Sequence, residues 1–245
     1  LFTTTTVYAG LSAGIVYPYQ VKDSKGCVGS GTITLTEPTV LTTTVSATKL
    51  SCNTSNVKQT ALVTVAVPTT GTAPYLYSFN GSTPNSTNTF TVTDNGTNQT
   101  INIIVTDAKG CPFSTSITVD GLNPPTDLTF SGATITCNLT STTITASATN
   151  GVGPLTYEIT SPATSITSNT TGVFAGLTPA TYNFKVTDAN GCFYTESYEI
   201  KAVTPIAVSG NKVSDVLCNG GTNGAINYSV SGNAVVGNYT YTLTP

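Results

Sequence analysis

The stretch Ala180-Thr181-Tyr182-Asn183-Phe184-Lys185-Val186-Thr187-Asp188-Ala189-Asn190-Gly191-Cys192 alternates apolar with polar residues and then breaks at Asp-x-x-Gly-Cys. A period of two puts Tyr182, Phe184 and Val186 on one face of a half-buried strand. Asp188 and Gly191 mark the turn that ends it, because Asp in a tight turn bonds its own backbone. The same text is written twice more. Tyr17, Tyr19 and Val21 precede Asp23-Ser24-Lys25-Gly26-Cys27, and Ile101, Ile103 and Val105 precede Asp107-Ala108-Lys109-Gly110-Cys111. Cys27, Cys111 and Cys192 are therefore 84 and 81 residues apart. A second landmark keeps that step: Cys52-Asn53, Cys137-Asn138 and Cys218-Asn219 are separated by 85 and 81 residues. Two independent markers report one period of about eighty residues, so the chain is a tandem repeat.

Working outward from the turn, each Cys-Asn is followed by a polar loop and another alternating run. These runs carry Ala61, Val63, Val65 and Val67; Ile144, Ala146 and Ala148; and Ile226, Tyr228 and Val230. A third strand bears aromatics, in Tyr75-Leu76-Tyr77, Leu155-Thr156-Tyr157 and Tyr239-Thr240-Tyr241. One period reads as about seven short strands separated by turn signals, which is a two-sheet antiparallel sandwich. Leu177-Thr178-Pro179-Ala180-Thr181-Tyr182 sharpens the reading. A Tyr opening the penultimate strand after a Pro-bearing turn matches the tyrosine corner of immunoglobulin-like sandwiches, and Leu11 to Tyr17 is a version one residue longer. Pro18 predicts a bulge, since proline cannot donate to a ladder and this strand is expected to be central.

The fold expected is all-β: tandem immunoglobulin-like (fibronectin III- or PKD-like) antiparallel sandwiches in a linear array. Pro38, Pro124-Pro125 and Pro205 mark the junctions. Residues 1–38 are the last strands of one module, 39–122 and 123–203 are complete, and 204–245 are the first strands of another. Half a sandwich cannot bury its core, and Leu1 opens no signal peptide, so the chain reads as a window on a longer precursor.

Composition excludes several functions. Eight Lys, eleven Asp plus Glu and no Arg or His give a net charge of -3, so no basic footprint for nucleic acid exists. No run approaches the roughly 18 apolar residues that span a bilayer, and no membrane insertion is expected. Without His, a serine–histidine hydrolase site is absent. The chain is not expected to be an enzyme, and no cofactor is implied.

Cys-Asn-Gly-Gly-Thr-Asn-Gly-Ala-Ile at 218–226, Phe174-Ala175-Gly176-Leu177, the Pro-x-x-Tyr corner and Val186-Thr187-Asp188-Ala189-Asn190-Gly191-Cys192 together resemble the SprB-type repeat. That repeat occurs in giant gliding adhesins and other cell-surface proteins of Bacteroidetes. Residues 52–60 and 137–143 keep only its Cys-Asn. The resemblance implies export by the type 9 secretion route, display on the cell surface as long filaments, and adhesion. Partners implied are neighbouring modules, the secretion machinery during export, and surface glycans or other filament chains.

Six cysteines with no His and no Cys-x-x-Cys pair read as disulfide partners, not metal ligands. Three registers are open: within modules (Cys52 with Cys111, Cys137 with Cys192), across linkers (Cys27 with Cys52, Cys111 with Cys137, Cys192 with Cys218), or between facing ends of adjacent modules. Topology prefers the last. The loop after the first strand and the turn before the last strand lie at opposite ends of such a sandwich, roughly 33 Å apart for a ten-residue strand. Bonded Cα atoms must lie within about 7 Å. Cys52 of one module would then meet Cys192 of the next, while Cys27, Cys111, Cys137 and Cys218 would seek partners in further modules.

Other candidates have blander readings. Asp23, Asp107 and Asp188 suit calcium by type, but the Asx-turn role, with Gly26, Gly110 and Gly191, explains them better. Glu196 and Glu199 are the nearest carboxylate pair, yet three residues along a strand they point to opposite faces as solvated charges. Tyr75, Tyr77, Tyr157, Tyr239 and Tyr241 are candidate sugar platforms, with half of such strand tyrosines expected in the core. The reading is a structural stalk or filament segment of a secreted surface adhesin. A carbohydrate-binding module array is the alternative, and a spacer of a larger secreted enzyme the weaker one.

Overall fold

The computed structural model describes residues 3–163, 168–232 and 239–244. Among the described residues every regular element is a strand. In chain order they are β1 (Val16–Lys22), β2 (Val28–Thr34), β3 (Val45–Ala47), β4 (Ser51–Cys52), β5 (Lys58–Gln59), β6 (Ala61–Val65), β7 (Leu76–Phe79), β8 (Thr89–Val92), β9 (Gln99–Thr106) and β10 (Pro112–Val119). They continue with β11 (Asp127–Gly132), β12 (Thr142–Thr149), β13 (Thr156–Ser161), β14 (Ser168–Asn169), β15 (Val173–Leu177), β16 (Ala180–Thr187), β17 (Phe193–Ile200), β18 (Ala207–Ser214) and β19 (Ala225–Ser231). All pairings are antiparallel.

The chain forms two compact units. The first comprises residues 1–49 and 60–121, the second residues 50–59 and 122–245. Segment 50–59, which the repeat period assigns to the module 39–122, thus belongs to the second unit. Its chemistry, given below, explains why.

In the first unit, β10-β9-β7 and β3-β6-β8 are the two sheets of one sandwich. Ala61, Val63 and Val65 on β6 are fully buried, as are Ile101, Ile103 and Val105 on β9 to within 3 %. Each buried Val or Ile contributes about 1.5–3 kcal/mol, which makes these two central strands the main source of the module's stability. Val67, which continues the β6 alternation, is 65 % exposed because the strand ends at Val65.

The second unit repeats the plan with β14-β13-β16-β17 and β11-β12-β15. Phe174 and Phe184 meet edge to face at 5.4 Å between ring centroids, and Phe130 stacks on Tyr198 at 4.7 Å. Tyr182, Phe184, Val186, Ile144 and Ala146 line this core.

Among the described residues, three two-stranded hairpins remain outside these sheets, and β4–β5 is the shortest. β1–β2 and β18–β19 are two-stranded ribbons. Tyr19 and Val21, expected to face inward, are 53 % and 66 % exposed, and Ile226 and Tyr228 are 50 % and 41 % exposed. The alternation is intact, but among the described residues no second sheet covers either ribbon. Pro18 pairs with Thr32 in an unbroken register from Val16–Thr34 to Lys22–Val28, so the expected bulge is absent. β1 has one neighbour, and a proline whose nitrogen faces the unpaired side removes no ladder bond.

Candidate functional site

The three Asp-x-x-Gly-Cys turns fold alike because each Asp carboxylate closes its own loop. Oδ1 of Asp188 accepts the amides of Asn190 and Cys192, both at 2.9 Å. Asp107 does the same for Lys109 and Cys111, and Asp23 for Lys25 and Cys27. In every case the Gly amide donates to the Asp carbonyl and the Asp amide to the Cys carbonyl. Gly26, Gly110 and Gly191 sit at φ +93°, +81° and +78°, a region that favours glycine. Asp188 and Asp107 are 5 % and 7 % exposed. Asp107 Oδ2 also accepts the Thr72 amide at 2.9 Å. The Cys111 amide is the main influence holding the Asp107 carboxyl below the usual carboxylate range, with burial opposing and the Thr72 and Lys109 amides assisting.

The loop after Cys52 imitates that turn. Asn53 Oδ1 accepts the amides of Ser55 and Val57, the Asn56 amide donates to the Asn53 carbonyl, and the Asn53 amide to the Val57 carbonyl. Asn56, at φ 60°, takes the place of the glycine, as Asn tolerates this region better than other side chains do. The result is a preformed small hairpin, β4 and β5 joined by residues 53–57.

These two turns are clamped together within the second unit. Cys52 and Cys192 form a disulfide, with Cα atoms 4.8 Å apart and 140 residues between them in sequence. The Cys52 amide donates to the Asn190 carbonyl at 2.9 Å. The Asn56 amide group grips Phe193 twice: Nδ2 donates to its carbonyl at 2.8 Å, and Oδ1 accepts its amide at 2.9 Å. A Cβ on Gly191 would lie 2.9 Å from the Cys52 carbonyl oxygen, so both its φ and this close approach require glycine. Cys192 is completely buried. The pair formed is the one between adjacent modules, while Cys27, Cys111, Cys137 and Cys218 are free and exposed in this chain. Their within-module and across-linker pairings are not formed.

Asn56 stands out less in the sequence than the Asp turns do. Its signal is the parallel between Asn53-x-x-Asn56-Val57 and Asp-x-x-Gly-Cys, legible only once the turn's bonds are known. The loops after Cys137 and Cys218 close differently, through Thr136 with Leu139 and through the Gly221 amide on the Cys218 carbonyl.

Other candidates resolve as follows. Tyr182 donates its hydroxyl to the Thr178 carbonyl at 3.0 Å and Tyr17 to the Ser12 carbonyl at 2.9 Å, each tying a strand to the turn before it. Tyr77 and Tyr157 are core residues, and burial, with Tyr75 adding to it, pushes the Tyr77 phenol up. Tyr75 donates to the Thr70 carbonyl, while Tyr241 is 65 % exposed. Glu196, expected to be a solvated charge, is half-buried and accepts the Leu128 amide at 3.2 Å, because β17 runs beside β11; Glu199 is exposed. No trio of His, Cys, Asp or Glu among the described residues is placed to hold a metal ion.

No protein-family model matches the sequence, and no curated protein does. Among solved structures, the chain is similar to a Ca2+-stabilised adhesin with which an Antarctic bacterium binds ice, at 17 % identity and a TM-score of 0.31. That alignment covers 79 % of this chain and 59 % of the adhesin's chain. A likeness that distant transfers neither ice nor calcium to this protein.

Proposed function

We propose that this chain is a load-bearing repeat segment of an extracellular adhesin-type surface protein, of the kind the SprB-type resemblance implies. The observation that carries this reading is the clamp between the 50–59 hairpin and the 188–192 turn. The chain leaves the first unit at Lys49 and returns to it at Thr60, so the disulfide fastens a hairpin that both flanking strands of that unit hold. Tension applied along the chain then meets a covalent cross-link that bypasses the 140-residue path between the two cysteines. A disulfide is also suited to an oxidising, extracellular setting. Display on a bacterial surface, export by the type 9 route and a part in gliding belong to the same reading.

Single-molecule stretching tests it. Cleaving Cys52–Cys192 releases 140 residues to extension, about 490 Å at roughly 3.5 Å per residue. The proposal expects the oxidised chain to hide that length at forces that unfold the modules. Equal extension with and without reductant would remove the load-bearing role. Saturable, module-specific glycan binding that is lost on replacing Tyr241 would instead favour a carbohydrate-binding array.

A further inference from the structure

We infer that the Asp23–Val28 turn is a docking site for a Cys-Asn-x-x-Asn hairpin of another module, and that the residue after the turn cysteine decides how firmly such a hairpin is held. The inference rests on the geometry of the observed clamp and not on the load-bearing reading. A turn that captures no hairpin would leave the mechanical role of Cys52–Cys192 standing.

The clamp at Cys192 shows what such a turn recognises. The hairpin is held there by the disulfide, by the Cys52 amide on the Asn190 carbonyl, and by the two bonds of the Asn56 side chain to Phe193. On the turn's side every partner is a backbone group or the cysteine sulfur. Any turn of the same shape with an amide after its cysteine therefore offers the same set.

The Asp23 turn has that shape. Asp23 Oδ1 accepts the amides of Lys25 and Cys27 at 2.9 and 2.8 Å, as Asp188 Oδ1 accepts those of Asn190 and Cys192, and in both turns the Asp amide donates to the Cys carbonyl. The two ladders are thus in one phase: Val28 pairs with Lys22 as Phe193 pairs with Thr187. The Phe193 amide and carbonyl face away from β16 towards Asn56, so the same groups of Val28 face away from β1. Among the described residues β2 belongs to a two-stranded sheet, and Val28 is 53 % exposed. The Cys52 carbonyl oxygen stands 2.9 Å from the Cβ position of Gly191, whereas nothing lies within 4 Å of that position on Gly26. Cys27 is free and exposed. Because the Asp carboxylate already holds the loop, docking requires little further ordering of the chain.

The Asp107 turn supplies the contrast within one molecule. Its carboxylate closes the same loop, Gly110 is as open as Gly26, and Cys111 is free and exposed. The next residue is Pro112, which has no amide to donate. An Asn side chain docked there keeps the bond from its Nδ2 to the residue's carbonyl and loses the one accepted by its Oδ1. The occupant is defined just as closely. Asn56 stands four residues after Cys52, whereas Ser141 and Thr222 stand four residues after Cys137 and Cys218, and a hydroxyl does not present the separate donor and acceptor of an amide. The partner that fits is a hairpin of the Cys52 kind.

The test uses the purified chain and a synthetic hairpin with the sequence of Leu50–Gln59, closed by a D-Pro-Gly turn, shown by NMR to be a hairpin, and carrying glutathione on its cysteine as a mixed disulfide. A thiolate of the chain attacks the probe's cysteine sulfur, one S–S bond forms as another breaks, and glutathione leaves as a thiolate with no net oxidation. Peptide mapping gives the share of probe on Cys27, Cys111, Cys137 and Cys218, and oxidised glutathione alone corrects for the reactivity of each thiol. Corrected capture at Cys27 should exceed that at Cys111 roughly five- to tenfold, the worth of one hydrogen bond, while Cys137 and Cys218 take the probe no better than they take glutathione. Asn56→Ala in the probe should bring Cys27 to or below the Cys111 level. Pro112→Phe in the chain should raise Cys111 to the Cys27 level, with the intact Cys52–Cys192 bond reporting that the variant is folded. Even capture over the four cysteines, a preference for Cys137 or Cys218, a Cys27 preference that survives Asn56→Ala, or capture at Cys111 unmoved by Pro112→Phe overturns the inference.

Discussion

The hairpins β16–β17 and β1–β2 carry nearly the same text and live in different surroundings. Both end in an Asp-x-x-Gly-Cys turn with the same amide-to-carboxylate bonds, and both open with a Tyr whose hydroxyl donates to an upstream carbonyl. Yet Phe184 and Val186 are buried where Tyr19 and Val21 are exposed, and Cys192 is bonded and buried where Cys27 is free and exposed. The shape of the turn is local, written within five residues and independent of what packs nearby. Burial and covalent bonding come from a second sheet and a docked hairpin, which one of the two ribbons has.

This contrast can be broken at several levels. The largest effect belongs to the core face: Phe184→Ala should cost about 3–5 kcal/mol of the second unit's stability in urea unfolding. Tyr19→Ala in the dilute, reduced chain should cost less than about 0.5 kcal/mol. Next comes the clamp. Replacing Cys52 and Cys192 together with Ser should lower stability by about 2–5 kcal/mol through the long loop the bond closes, with Cys111→Ser near neutral in the same assay. If the two variants behave alike, the clamp contributes nothing.

A smaller effect is expected at Asn56. Asn56→Ala removes both bonds to Phe193 and places a Cβ-bearing residue at φ 60° with no side-chain amide, for a loss of about 1–2 kcal/mol. Amide exchange at Phe193 should rise with it. The smallest effect is confined to acid. The folded Asp107 carboxyl lies below its ordinary value, so its contribution is present above the unfolded pKa and lost as pH falls through the folded one. Asp107→Asn should flatten the acid limb of the first unit's stability curve below about pH 4. A wild-type limb that is already flat would mean the carboxylate's charge is immaterial to the turn.

Strand faces such as Tyr182, Phe184 and Val186 are readable from alternation because a strand's period needs no knowledge of its neighbours. The Asp turns are readable for the same reason. What resists reading are contacts between distant residues. Asn56 and Phe193 are 137 residues apart and share no pattern with a period. Glu196 looks like any surface carboxylate until β17 is known to lie beside β11. Pro18 misleads in the opposite direction: proline calls for a bulge only in a central strand, and among the described residues β1 has a single neighbour. The cysteines are intermediate: their number and step point to bonds, and choosing among three registers takes the ends of a sandwich as well as its strands.

The bond between one module's Cys-Asn hairpin and the next module's turn is the feature on which the load path depends. Non-reducing proteolysis with mass spectrometry of the monomeric chain tests it directly. A linked peptide pair carrying Cys52 and Cys192 is the predicted result. Recovery of Cys52 joined to Cys111, or Cys137 joined to Cys192, would contradict it and confine each disulfide to its own module.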